Sequence, residues 1–481
     1  MRRCFTETSW STLTKPRELI LDLGLMGKNT ISRPQLLAEC THIEGGRRPP
    51  VTPAIFEQEV ETKSFTNGKD DKPLVVRLYK DAFSQQFKLA TELDFSQLGW
   101  GDADVAATCG ALQSAGELPK LRALKLWGNM LSAPSGLAVA QLVIQGLTPL
   151  LAEVMLNNTK AVKNPVQQLT GALPTTQLKL SGMDAMDGVF NAALLEHYTA
   201  PMLTSLNIES SDEAAALAIM RAVGSHGEMT SLRLTGCMIS DDSAEQIGAY
   251  VESAALTYMD ISRSSLSYKG YYDIGASLLG STTNKLGALK CDVFDVPPAA
   301  HSINLTRKDI GESGATPLLA SLVKSSTVIL RLILSSNLLG DDGAIVVSKG
   351  LKNNSTLQEL DLYNNGIGVA GARAIASVLS STTLKRIVLS RNSLKDEGAS
   401  AIGKSLKTNS TLETLELTQC SIGPTGGQAI GDNLKAGISV LKSLDLQQNF
   451  VGRAWGREQQ FDGEQAVRNA VAGRDGFMLL L

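Results

Sequence analysis

The sequence predicts an α/β solenoid, a stack of short parallel strands each returned by a helix, and three observations carry that prediction. Leu357, Leu360, Leu362 and Asn365 stand at relative positions 1, 4, 6 and 9, and Leu384, Ile387, Leu389 and Asn392 repeat the spacing 27 residues later. Gly371 to Leu379, between the two, is alanine-rich and places Ala372, Ile375 and Leu379 on one helical face. The beat then recurs along most of the chain, and self-similarity at such a period marks a repeat architecture.

Each element of the unit has a physical reason. Positions 4 and 6 alternate with outward residues, the period of a strand with one buried face. At position 9 the chain leaves the strand, and an Asn there donates and accepts at once, satisfying backbone groups of adjacent loops. Small residues such as Gly371 and Ala372 let helix and strand approach closely. One unit cannot bury its apolar face alone, so neighbours complete the core. Strands pair at about 4.8 Å and helices are about 10 Å wide. The expected stack is therefore a curved horseshoe, with parallel strands on the concave face, helices on the convex face, and positions 3, 5 and 7 pointing into the hollow.

A strand, an Asn-closed turn and a full helix in 27–29 residues resembles the leucine-rich repeat of the ribonuclease-inhibitor-like class. Ile329–Leu351, Leu357–Leu379, Leu384–Leu406 and Leu412–Leu434 carry the resemblance, which extends from about Leu89 to Leu481. Those repeats are similar to ones in ribonuclease inhibitor, the Ran GTPase-activating protein and NOD-like receptor repeat domains. The chain departs from each, with far fewer cysteines than the first, no acidic tail like the second and no nucleotide-binding module like the third. The resemblance specifies fold rather than function.

Taken in order, residues 1–70 show no repeat and read as a poorly ordered extension, with Pro34, Pro49, Pro50 and Pro53 and the run Gly45-Gly46-Arg47-Arg48. Leu19 to Gly24 could be a strand. The Gly27-Lys28-Asn29-Thr30 that follows fails as a phosphate-binding loop, because Asn29 stands where Ser or Thr must follow the lysine. Residues 71–88 predict a capping helix with Pro73 near its start and an apolar stripe of Val75, Leu78, Tyr79, Ala82 and Phe83. Degenerate repeats run over 89–281, recognisable through Val154/Leu156, Leu178/Leu180, Leu206/Ile208 and Leu232/Leu234. Residues 282–300 are an insertion, a loop or an extra strand. Regular repeats fill 301–452, and 453–481 is a carboxy-terminal cap closed by a final strand. Position 9 is Lys308, Asn337, Asn365, Asn392, Cys420 and Asn449 in the regular block, and Leu98, Asn129, Thr159, Met183, Ser211, Cys237 and Ser264 in the degenerate one.

Composition removes several functions. A net charge of −3 gives no basic footprint for nucleic acid. No apolar run is long enough to span a membrane. Cys4, Cys40, Cys109, Cys237, Cys291 and Cys420 are far apart and read as reduced thiols in a cytoplasmic setting. Neither they nor His42, His197, His226 and His301 have zinc spacing, and no nucleophile motif such as GxSxG is present. No catalytic, cofactor or metal site is expected. The glycosylation-like Asn354-Ser355-Thr356 and Asn409-Ser410-Thr411 recur at one loop position and fit repeat chemistry better.

The hollow is the candidate site. Exposed Trp, Tyr and Arg are the types enriched at binding hot spots, and positions 3, 5 and 7 supply Trp127, Tyr258, Arg331, Tyr363 and Arg386. Register places Arg386 between Glu359 and Asp361 on one side and Glu416 on the other. The expected function is a non-catalytic scaffold binding a protein through the concave strand face. The alternatives are a regulator of a small GTPase, or a structural subunit of a ciliary or cytoskeletal assembly.

Overall fold

The computed structural model describes residues 49–62, 68–151, 153–156, 177–197, 203–224, 229–352, 354–452 and 462–481. They fall into two compact units, residues 1–203 with 208–226 and residues 204–207 with 227–481. In both, short strands alternate with helices, and adjacent repeats pair their strands in parallel.

The first unit opens with α1 (Pro53–Glu61) and α2 (Gly68–Leu89). Phe56 stacks on Tyr79 with centroids 3.8 Å apart, and Tyr79, Phe83 and Phe87 continue as a buried aromatic row. The Tyr79 hydroxyl donates to the Val51 carbonyl at 2.6 Å. Two expectations change here. Residues 53–61 are an ordered helix, because Phe56 and Val60 find an apolar face on α2. Pro73 lies inside α2 rather than at its start. The proposed strand at Leu19 to Gly24 lies outside the described residues. Strands β1 (Glu92–Asp94), β2 (Ala123–Lys125) and β3 (Glu153–Met155) then form a parallel sheet. They are followed by β4 (Gln177–Ser181) and by β5 (Ser205–Glu209), whose residues 205–207 belong to the second unit. The helices α3 (Asp102–Ala115), α4 (Ala133–Ile144), α5 (Ala185–His197) and α6 (Glu213–Val223) pack in succession.

The second unit begins with β6 (Ser231–Thr235), α7 (Asp241–Ser253), β7 (Tyr258–Asp260) and α8 (Tyr268–Gly280). Next come β8 (Ala288–Lys290) and the short antiparallel β9 (Asp295–Val296). Thus 282–300 holds a further strand of the stack. Leu286, Leu289, Cys291 and Phe294 stand at the 1-4-6-9 spacing and all are buried. What this copy lacks is a helix: β9 folds back where one would start. On the helical side α8 packs directly on α9 (Thr316–Ser325), so the helices continue without a gap.

The regular block follows. Strands β10 (Ser302–Asn304), β11 (Arg331–Ile333), β12 (Glu359–Asp361), β13 (Arg386–Val388), β14 (Thr414–Glu416), β15 (Ser443–Asp445) and β16 (Met478–Leu480) form one seven-stranded parallel sheet in sequence order. Its inward column, Leu332, Ile387, Leu360, Leu415 and Leu444, is at most 1% exposed, and each such residue contributes about 1.5–3 kcal/mol on burial. The helices α10 (Gly340–Leu351), α11 (Val369–Leu379), α12 (Lys395–Leu406), α13 (Pro424–Ala436) and α14 (Gly463–Val471) stack alongside. Gly403 faces the Ala429 carbonyl, where an added Cβ would lie 3.0 Å away, so any side chain would push these helices apart.

Two asparagine devices fasten the repeats. At position 9, Asn365 Nδ2 donates to the Leu334 carbonyl at 2.9 Å, while its Oδ1 accepts the Asn337 N–H at 2.9 Å. Asn129, Asn337, Asn392 and Asn449 do the same in their repeats. Before the strands, Asn354 donates to the Val323 carbonyl and Asn409 to that of Leu379, each at 2.7 Å. Both are buried, so their Asn-x-Thr sequences serve the turn and offer no acceptor to a glycan.

Candidate functional site

The outward residues of the regular sheet form an alternating charged ladder. Arg331 Nε donates to Glu359 Oε2 at 2.5 Å, and its Nη2 donates to Oε1 at 3.0 Å. Glu359 Oε1 lies 3.5 Å from Arg386 Nη1, and Arg386 Nη2 reaches Glu416 Oε1 at 2.6 Å. Parallel register requires this order, because Arg331, Glu359, Arg386 and Thr414 are successive partners. The hydrogen bonds that Arg331 donates to Glu359 push the Arg331 pKa further up. As half-exposed pairs these bonds stabilise the fold little; their effect is to hold four long side chains in fixed positions.

One expected partner differs. Asp361 does not pair with Arg386. Its Oδ1 instead accepts the Tyr363 N–H at 2.8 Å, a local turn bond that draws the carboxylate toward its own backbone. Tyr363 in turn lies under the Arg391 guanidinium, 5.7 Å from ring centroid to Cζ. Arg386 Nε is buried and has no acceptor.

The remaining candidates are not members of that ladder. Tyr258 carries the Arg233 guanidinium at 4.8 Å over its ring and sets its hydroxyl 3.4 Å from Asp260 Oδ2. Burial, with the Asp260 charge second, raises the Tyr258 pKa. Trp127 belongs to the first unit and is half-buried beside Lys125, whose Nζ donates to Glu92 at 2.7 Å. That bond raises the Lys125 pKa. Not every outward position is open: Val388, Ser390, Asp260 and Ser262 are buried. They are short side chains between longer ones on strands about 4.8 Å away.

The described residues also fix where ligating and nucleophilic side chains stand. No group of three or more His, Cys, Asp or Glu there could hold a metal ion, and no helix there is long and apolar enough to cross a membrane. Cys109, Cys237, Cys291 and Cys420 are buried free thiols. Burial pushes Cys109 and Cys420 up to about 12 and Cys291 up to about 11, which keeps them protonated and unreactive at neutral pH. Cys4, Cys40, His42 and His226 lie outside the described residues.

Sequence reasoning missed a relay of carboxylates. Asp341 Oδ1 accepts the N–H groups of Gly368 and Gly371, both at 2.7 Å, and Asp396 Oδ1 accepts those of Gly423 and Gly426 at 2.6 and 3.0 Å. Each Asp therefore caps the helix of the following repeat rather than its own. Glycine is required because a Cβ on Gly371 would lie 2.8 Å from the carboxylate. The signal was present as an Asp followed 27 and 30 residues later by glycines.

Comparison with known proteins agrees with this geometry. A family model described as "Leucine Rich repeat" matches residues 353–376, 380–403 and 408–431. The chain is 29% identical over 202 residues to NACHT, LRR and PYD domains-containing protein 3 of Macaca mulatta, covering 37% of this chain and 19% of that protein. It is 34% identical over 90 residues to the Homo sapiens protein of that name, covering 18% and 9%. It is 24% identical over 183 residues to the Tonsoku-like protein of Bos taurus, covering 37% and 12%. The chain thus spans less than a fifth of the length of these relatives. With the strand, asparagine turn and helix recurring through its sheets and the family model resting on three successive copies, the chain is a leucine-rich-repeat protein.

Proposed function

We propose that the chain is a non-catalytic scaffold that docks a protein partner on the open face of its repeat sheets. The observation that carries this is the ladder from Arg331 to Glu416 with Tyr363 and Arg391 beside it. Arginine and tyrosine are hot-spot types, and here they are pre-ordered, so little side-chain entropy is lost when a partner seats. Trp127 and Tyr258 occupy the same outward positions elsewhere in the chain, while Glu416 holds Arg386 in place and Asp361 holds the turn before Tyr363.

The test compares proteins retained from native cells by the immobilised wild-type chain and by a Tyr363→Ala/Arg386→Glu variant with an unchanged melting curve. A partner held by the wild type and lost by the variant is expected. Equal retention of every protein by both would remove the open face from consideration and move the site to the helical side or to 282–300.

A further inference from the structure

Leu338 stands at position 10, just past the strand; Met130, Met238 and Phe450 also expose apolar side chains at that position, but of these four Leu338 alone has a positive φ. Its φ is +52, in the left-handed region, and the same position in other repeats holds Gly99, Ser265, Asp309, Gly366 or Ser421, also at positive φ. A large side chain is disfavoured there, and glycine is the residue that takes this conformation freely. Burial does not compensate, because Leu338 is 59% exposed. Most of this side chain faces solvent rather than the core.

Its neighbours have a common character. Adjacent turns are tied together: Lys308 N–H donates to Asn337 Oδ1 at 2.9 Å, Ser336 N–H to the Tyr363 carbonyl at 2.8 Å, and Asn364 Nδ2 to Ser336 Oγ at 3.1 Å. Arg307 and Lys308 therefore flank Leu338 on the preceding repeat. Tyr363 flanks it on the following one, with Arg391 over its ring. Arg307, Lys308 and Arg391 are exposed, and among the described residues none of them forms an ion pair. Asp309 is the acid among them. On the sheet beside this rim, by contrast, Arg331 and Arg386 are already taken by Glu359 and Glu416.

We propose that the rim of Arg307, Lys308, Leu338, Tyr363 and Arg391 docks an acidic polypeptide segment in which carboxylates flank one apolar side chain. The apolar group rests against Leu338 and the Tyr363 ring, and the carboxylates pair with the free cations. Charge complementarity selects this occupant: an anionic segment finds the sheet arginines already paired with Glu359 and Glu416 and is drawn to the unpaired cations of the rim. A nucleic acid fits less well, since the chain is net negative and Leu338 offers no surface for stacking a base. The proposal rests on the scaffold role given above.

Selection of a random-sequence peptide library on the full chain tests it, followed by fluorescence anisotropy of the selected peptide. The expected sequences carry Asp or Glu beside Leu, Ile or Phe. Leu338→Gly should weaken binding about tenfold or more while the melting temperature holds or rises. Arg391→Glu should weaken it as well, and Arg386→Glu should not. Basic or uncharged selected sequences, or a library with no binder, would overturn the proposal. So would equal binding by Leu338→Gly and wild type. Binding lost in Arg386→Glu but kept in Leu338→Gly would reject the rim and leave the sheet as the docking surface.

Discussion

The backbone N–H of Asn365 donates to Oδ1 of Asn392 at 3.0 Å, so the turn of one repeat is fastened by the side chain of the next. Asn392 also reaches back with Nδ2 to the Leu362 carbonyl at 2.9 Å. One repeat later the residue is Cys420, whose Sγ reaches the Leu389 carbonyl at 3.2 Å but provides no amide oxygen.

Asn392→Ala should therefore cost about 1–3 kcal/mol, since it leaves buried donors and acceptors unpaired. Cys420→Asn should raise stability by about 1 kcal/mol by restoring the missing acceptor. Urea midpoints read both. An Asn392→Ala midpoint equal to wild type would show that the turns close without the amide.

Asp396→Ala should lower stability by about 0.5–2 kcal/mol, the range for losing a helix cap. The loss should be felt on α13, whose first amides it caps, rather than on α12 where it resides. Amide exchange at Gly423 and Gly426 locates it. Fast exchange confined to α12 would contradict the relay.

Asp102 accepts hydrogen bonds from Ser132 and Ser135, and these hold its pKa below the usual carboxylate range. A carboxylate depressed in the folded state contributes stability that is present above its unfolded pKa and lost as pH falls through the folded one. Asp102→Asn should flatten the acid limb of the melting-temperature profile. A profile parallel to wild type down to pH 2 would show that Asp102 does not titrate with folding.

Amides near Ser211, Cys237 and Ser264 should exchange faster than those near Asn365. Ser264 Oγ donates to the Leu234 carbonyl at 2.6 Å, and Ser211 Oγ accepts the Met183 N–H at 3.1 Å. Each hydroxyl reaches the preceding repeat through a single atom, whereas an amide has separate donor and acceptor arms. Uniform protection along the chain would refute the difference.

The stack was legible because its core is written as a period: Leu357, Leu360 and Leu362 recur, and the structure buries them all. The ladder was legible because parallel register makes positions 3 and 5 neighbours. Two things were not. The copy at Leu286 to Phe294 was hidden because it has no helix, so the beat is broken although the strand template is intact. The capping relay was hidden because a helix-start Asp fits its own helix equally well by sequence, and only stacking shows which amides it meets. Asp361 was misplaced for a similar reason: a short carboxylate satisfies its own turn before it can cross to the next strand.

Hydroxyl-radical footprinting of the chain with its retained partner bound tests the docking surface most directly. Tyr363 and Tyr258 report the sheet face, while Tyr268 and Tyr272, stacked and exposed on α8, report the helical face. Protection of Tyr363 or Tyr258 with Tyr268 and Tyr272 unchanged is the expected result. Protection of Tyr268 and Tyr272 alone would place the partner on the helices and contradict a sheet-face scaffold.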